Sequence, residues 1–424
     1  MRAAGDLWAG LIDYNRGRLR RGAGPVADFV ALCRELTGVR VGELSRTSAE
    51  GVARRYSDAW FEANRRRRAG EVARYPRRKK ALVPVRFRAG QFALNGARVR
   101  LQTARGAPPL VVGLARALPY PPGEVRAVTL VMDAGRVVLD VTAEITVAPP
   151  PGSATAGVDL GIIHPFAVAS GNEALVISGR ALRAEGRLHL TDARARARKM
   201  AAKAPRRGQR GSRRWRKLRS AQRRAEARHR RRIRQAQHQA AKAVVAWAGD
   251  HGVGTLVVGD PVGICEKDAG PTHNLRLRQW RRTHLMGALT DKASTAGIKV
   301  MRVDERGSSS TCPECGTRVP KPKGRGFRCP HCGHLGHRDI VGARNIAAKG
   351  GGHTSTPVLV EHRRAGQVPA RRDRRRHLWE TRRSCLAPGR RGSPRSRSPE
   401  TTGEERRGPC DTPMDVTGTS ALVH

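Results

Sequence analysis

The chain has 424 residues and carries 83 Lys and Arg against 35 Asp and Glu, a formal charge of +48. That length allows roughly two to four domains, and the charge points to a polyanionic partner, because each phosphate neutralised releases counterions. No long apolar run is present, which excludes a helical membrane span, and no signal peptide is recognisable, so a reducing, cytoplasmic setting is expected.

In chain order, residues 1–79 read as a helical region. The stretch YSDAWFEANRRRR (56–68) places Trp60 and Phe61 on one side ahead of a basic run, the pattern of a packed or nucleic-acid-facing helix. Residues 80–148 change character. VPVRF (83–87), QFAL (91–94), ARVRLQT (97–103), RAVTLVM (126–132) and RVVLDVTAEI (136–145) alternate apolar and polar residues. Asn95-Gly96 and Asp133-Ala134-Gly135 supply turns, so a small antiparallel β domain is expected. Pro149, Pro150 and Pro151 end it.

A second module spans 149–311. TAGVDLGI (155–162) is an apolar strand with one acid, Asp159, in its middle, and FAVAS (166–170) and EALVISG (173–179) read as the next two strands. Three neighbouring strands with an Asp on the first make an opening of the RNase H type, and a buried acid is costly unless it meets a cation. Residues 181–250 form a long basic helical insertion broken between Pro205 and Gly211. Its charge density suits a wall for RNA or a heteroduplex. GVGTLVVGD (252–260) is a core strand with Asp260 at its exit, 274–296 a helix, and GIKVMRVDE (297–305) a strand ending in Asp304 and Glu305. His164 reads as a sheet-edge or turn residue.

Cys312, Cys315, Cys329 and Cys332 form two C-x-x-C pairs, each followed by a Gly, at 316 and 333. Two such knuckles give a tetrahedral four-sulfur shell, and Zn²⁺ is its default occupant. A closed shell builds fold and leaves no position for chemistry. With four cysteines present, His331, His334 and His337 read as surface or DNA-facing groups. Cys33, Cys265, Cys385 and Cys410 show no pairing pattern. The ribbon is expected over 312–333, a final helix carrying Asp339 over 334–350, and a basic, disordered tail over 351–424 containing RRDRRR and RRGSPRSRSPE.

The strand acids Asp159 and Glu305 and the helix acid Asp339 can converge at one end of a mixed sheet. Carboxylates brought together repel unless cations lie between them, and two Mg²⁺ ions there would serve phosphodiester hydrolysis.

GVDLGIIHPFAVAS resembles the first RuvC motif of the transposon-encoded TnpB (OrfB) family and of the compact type V CRISPR effectors. RVDERGSSSTCPECG with FRCPHCGHLGHRDIVGARNIA resembles their zinc ribbon and last RuvC motif. The resemblance covers roughly residues 56–350. It implies a multidomain α+β chain: a helical REC-like part with a WED-like β-barrel, then an RNase H-like (RuvC) nuclease with the ribbon inserted. It implies a guide RNA and target double-stranded DNA as partners, no membrane, and metal-dependent DNA cutting. A nuclease-inactive guided DNA-binding repressor and a transposase accessory protein are the alternatives. By the resemblance Asp159 matches the first catalytic acid and Asp339 the last. The middle acid departs from the commoner pattern: Gly259 stands where many members carry Glu. Glu305 is the first candidate for it, Asp260 the second, with Asp304 the near neighbour of Glu305.

Overall fold

The computed structural model describes residues 1–78, 81–261, 268, 270–320 and 324–365. They form two compact units, Met1–Thr129 with Leu139–Thr142, and Leu130–Val138 with the residues from Ala143 onward.

The first unit opens with three helices, α1 (Arg2–Arg20), α2 (Phe29–Glu35) and α3 (Arg46–Arg68). Asp28 accepts from Ala31 N at 3.0 Å and Ser45 from Ser48 N at 3.2 Å, closing the N-termini of α2 and α3. Each such cap contributes about 1 kcal/mol. Trp8 meets Tyr56 edge-on at 5.6 Å, and Asn15 joins Tyr56 Oη to the backbone of Val26, so α1, α3 and the loop before α2 share one core. Trp60 stacks on Tyr75 at 4.5 Å, whereas Phe61 is half exposed; the two do not share a face.

The strands that follow are β1 (Val85–Arg88), β2 (Phe92–Asn95), β3 (Arg98–Leu101), β4 (Leu110–Gly113), β5 (Val125–Asp133) and β6 (Arg136–Ala143). They make two three-stranded sheets, β1-β5-β6 and β2-β3-β4. Asn95-Gly96 turns β2 into β3, with Gly96 at φ 55°. Ala134-Gly135 lies between β5 and β6 with φ 50° and 93°, which costs Ala134 the strain that glycine avoids.

The second unit is built on β7 (Ala154–Asp159), β8 (Phe166–Ser178), α4 (Arg180–Ala201), α5 (Arg213–Asp250), β9 (Val253–Asp260), α6 (Pro271–Gln279), α7 (Arg282–Thr295), β10 (Lys299–Asp304), β11 (Gly326–Arg328), β12 (Leu335–His337), α8 (Arg338–Lys349) and β13 (Thr354–Arg364). One mixed sheet has the order β10-β9-β7-β8-β13. β7, β9 and β10 run parallel, while β8 is antiparallel to β7.

Alternation along the strands divides this core in two. Ala156 and Val158 of β7, Leu256 and Val258 of β9, and Phe166, Val168, Leu175 and Ile177 of β8 pack with Val244 and Trp247 of α5 and Leu285 and Leu289 of α7. Burying each of these large side chains contributes about 1.5–3 kcal/mol. On the other face β8 presents Ala167, Ala169, Ala174 and Val176, which cluster with Ile340 and Ala343 of α8. Gly157 brings α8 closest: a Cβ there would stand 1.9 Å from Ala343 O. Period two then puts Asp159 on the same face as Gly157, toward the start of α8.

Several elements differ from the sequence reading. FAVAS and EALVISG form one continuous strand, β8, rather than two; its first part pairs with β7 and its second with β13. The 274–296 helix is two, α6 and α7, broken at Trp280 and Arg281. Residues 354–364, placed in a disordered tail by their weak periodicity, form the sheet-edge strand β13 with Val360 buried. β12 pairs with β11, so the ribbon hairpin runs past residue 333 and α8 begins at Arg338. Cys265, the basic runs at 371–376 and 390–400, Cys385 and Cys410 lie outside the described residues.

Candidate active site and metal centre

Each knuckle of the ribbon is closed in the same way. Gly316 N donates to Cys312 O at 3.0 Å and Gly333 N to Cys329 O at 3.1 Å, with the two glycines at φ 70° and 74°. Cys312 N donates to Thr317 O and Cys329 N to His334 O, both at 2.9 Å. The four sulfurs lie within 4.8 Å of one another, and the Cys312–Cys332 and Cys315–Cys329 pairs stand 3.6 Å apart. Sulfurs about 2.3 Å from a common tetrahedral centre would be spaced at about 3.8 Å. The donor set therefore fits a zinc-sized ion. His331 is exposed. His334, expected at the surface, is instead largely buried near Glu314, 3.7 Å away, and His337 is half-buried beside His164.

The acids come from three separate segments: Asp159 ends β7, Glu305 follows β10, and Asp339 lies in the first turn of α8. All three line one cleft of about 1060 Å³. Asp159 lies over Gly342 of α8, where a Cβ would stand 3.2 Å from its Oδ2. Burial, then the negative charges of Asp339 and Glu305, push the Asp159 carboxyl up to about 8. Carboxylates brought this close disfavour one another's charged forms.

Glu305 occupies space left open on the neighbouring strand. A Cβ on Gly259 of β9 would lie 3.0 Å from Glu305 Cβ and 3.3 Å from its Oε2, so the missing side chain on β9 is the space that Glu305 occupies. Asp260, the other candidate, is absent from the cleft lining; its Oδ1 accepts from Arg282 Nη1 at 2.5 Å. Asp304 lines the cleft as well, but it is exposed and accepts from Arg306 N.

Asp339 is buried and differently held. His164 Nδ1 stands 2.7 Å from its Oδ2, and Arg325 Nη1 donates to Oδ1 at 2.6 Å and Oδ2 at 2.8 Å. Burial alone would raise its pKa; the His164 hydrogen bond and the Arg325 charge outweigh it and hold the carboxyl below the ordinary range. Position in the first turn of α8 adds the helix dipole in the same direction. Neither partner was visible in the sequence. His164 reads there as a turn residue, and Arg325 is one Arg among many; its only signal is its place four residues before the second knuckle.

A second network fastens the ribbon to the sheet. Arg344 of α8, 2% exposed, donates to Glu314 Oε1 at 2.9 Å and Thr354 O at 3.1 Å, and Thr356 donates to the same Glu314 oxygen at 2.8 Å. Asn345 adds bonds to the carbonyls of Ser308 and Thr311.

Segments of this chain are similar to known proteins. Residues 137–265 match the OrfB_IS605 family model, described as a probable transposase, and residues 283–346 match the Cas12f1-like TNB domain. The first segment contains Asp159; the second contains Glu305, the four cysteines and Asp339. The CRISPR-associated endodeoxyribonuclease Cas12f1 of Sulfoacidibacillus thermotolerans is 33% identical over 115 residues, 26% of this chain and 25% of that protein. The TnpB-like protein ORF457 of Acidianus two-tailed virus is 30% identical over 123 residues, 28% of this chain and 26% of that protein. The matched stretch thus spans about a quarter of either relative. A solved Cas12f1–sgRNA–target DNA complex shares the fold, with a TM-score of 0.54 at 15% identity over 82% of this chain and 81% of that one. Two segments of the chain are thus similar to TnpB-like and compact type V proteins.

Proposed function

We propose that this protein is an RNA-guided DNA endonuclease making metal-dependent cuts in target DNA, with Asp159, Glu305 and Asp339 as its catalytic acids. The observation that carries this reading is the convergence of those three carboxylates in one cleft, with Asp159 raised to about 8 by burial and then by the charges of the other two. Such a cluster is stable as anions only around cations, and oxygen donors of this kind suit Mg²⁺. Two bound Mg²⁺ ions would activate water and stabilise the leaving oxygen of a phosphodiester.

The chain's own residues prepare that chemistry. Asp159, at the end of β7, and Glu305, just past β10, supply oxygens from either side of β9. Asp339 is kept ionised and oriented by His164 and Arg325. Arg183, Arg276 and Arg325 line the cleft and offset the charge of an entering phosphate backbone. Zn²⁺ in the four-cysteine shell would hold the ribbon hairpin that carries Arg325 and joins α8 at His337–Arg338.

The basic hairpin α4–α5 supplies a surface for the guide RNA and its heteroduplex with DNA. α5 alone runs 38 residues, its N-terminus capped by Ser212. In this reading the guide selects the target by base pairing and the protein reads a short adjacent motif. No helix among the described residues is long and apolar enough to cross a membrane. The test is to purify the protein with its bound RNA, sequence that RNA, and assay Mg²⁺-dependent cleavage of DNA matching it. Site-specific cuts that D159N abolishes while RNA stays bound support the reading. Binding without cleavage in the unmutated protein would select the repressor instead.

A further inference from the structure

The cleft holds donors that the carboxylate cluster does not use. His164 follows β7, His337 caps α8 and Asp339 lies in its first turn, and one ligand atom from each stands within 4.8 Å of the other two. Two ligands at right angles on an ion with bonds of about 2.1 Å are about 3 Å apart. The 2.7 Å between His164 Nδ1 and Asp339 Oδ2, a hydrogen bond in this structure, is a little shorter than that spacing. His337 packs against His164, ring centroids 5.3 Å apart. Its Nδ1 is buried and has no hydrogen-bond partner among the described residues. A buried polar nitrogen in that condition calls for an explanation, and an unseen ion is one of the few available.

We propose that His164, His337 and Asp339 form a binding site for one divalent transition ion of the Zn²⁺, Co²⁺ or Ni²⁺ kind, distinct in donor chemistry from the all-carboxylate cluster. Two imidazoles and one carboxylate suit ions of borderline softness, whereas Mg²⁺ keeps to oxygen. Asp339 alone is common to both donor sets. Its Oδ2 faces His164, and Arg325 Nη1 donates to both carboxylate oxygens, to Oδ1 at 2.6 Å and to Oδ2 at 2.8 Å, the outer hydrogen bonds that orient a ligating carboxylate. Substrate oxygen or water completes the shell. The site goes beyond the nuclease reading and does not need it, since the ion is held whether or not the cleft cuts DNA.

The test uses the full-length protein carrying one Zn²⁺ in its ribbon, titrated with Co²⁺ against a background of excess Mg²⁺. One Co²⁺ should bind per chain, and X-ray absorption at the cobalt edge should show imidazole scattering. H164Q and H337Q should each weaken Co²⁺ binding by at least about tenfold. D159N should retain it. The scattering measurement on the unmutated protein stands even if a histidine variant fails to fold. Absence of bound Co²⁺, a cobalt shell of oxygen or sulfur only, or unchanged affinity in both histidine variants would overturn the proposal. So would loss of the ion in D159N with retention in the histidine variants, which would assign it to the carboxylate cluster.

Discussion

The two clusters of the second unit, four sulfurs and three carboxylates, are assembled by opposite means. The sulfurs come from one short stretch, Cys312 to Cys332, and local hydrogen bonds shape each knuckle before any tertiary contact is needed. The carboxylates come from positions 159, 305 and 339 and meet only because the ends of β7 and β10 lie beside the start of α8. The sulfur shell is complete in itself. The carboxylate cluster is frustrated, as the raised Asp159 shows, and it draws stabilisation from outside: His164, Arg325 and the ions it would hold. The ribbon reaches the carboxylate cluster through Arg325, whose charge helps hold Asp339 below the ordinary carboxylate range.

The largest effect separates the two clusters by chemistry. D159N and D339N should each lower DNA cleavage by roughly a thousandfold or more while the four-cysteine site still takes up one equivalent of zinc. Cleavage assays beside metal analysis would check both halves.

Stripping zinc with a thiol-reactive chelator should do the converse. The knuckles, Arg325 and the start of α8 lose their support, and the melting temperature should fall by roughly 5 °C or more. Unchanged melting after full zinc removal would mean that the ribbon stands without its ion.

A smaller effect tests how the carboxylates are brought together. Gly157 lets α8 approach β7 so that Asp159 lies over Gly342. G157A should cost about 1–3 kcal/mol of stability by overpacking, read from denaturant unfolding, and should push Asp339 away from Asp159. Apparent Mg²⁺ affinity should weaken with it.

The smallest effect is a pH dependence. Asp159 titrates near 8 in the metal-free fold against 3.8 in the unfolded chain, so between those values the folded state holds the extra proton. Its contribution to stability is largest below the unfolded value and declines as pH rises through about 8. The difference in melting temperature between wild type and D159N should therefore widen from about pH 6 to pH 9, in favour of D159N. Saturating Mg²⁺ should narrow it, because a bound cation replaces the proton; at a hundred times its dissociation constant a ligand adds about 2.7 kcal/mol.

What the sequence made legible follows the same division. The sulfur site is a spacing pattern, so its residues could be read directly. Asp159 was legible because a single acid inside an apolar strand is costly. Glu305 was readable only as a candidate, since its claim over Asp260 depends on Gly259 leaving space on the neighbouring strand and on Arg282 engaging Asp260. His164 and Arg325 were not legible as partners of Asp339, because each reaches it across a gap in sequence that only the folded sheet and hairpin close. β13 was missed for a related reason. An edge strand buries one side only, and in TSTPVLVEHRR the apolar residues are too few to show alternation; its pairing with β8 is supplied by the sheet.

The most direct measurement compares E305Q with D260N in Mg²⁺-dependent cleavage of DNA matched to the co-purified RNA. The arrangement of the cleft predicts that E305Q binds RNA and fails to cut, while D260N cuts within about tenfold of wild type. Cleavage by E305Q at the wild-type rate, with loss in D260N, would contradict the assignment of the middle acid and with it the three-carboxylate centre.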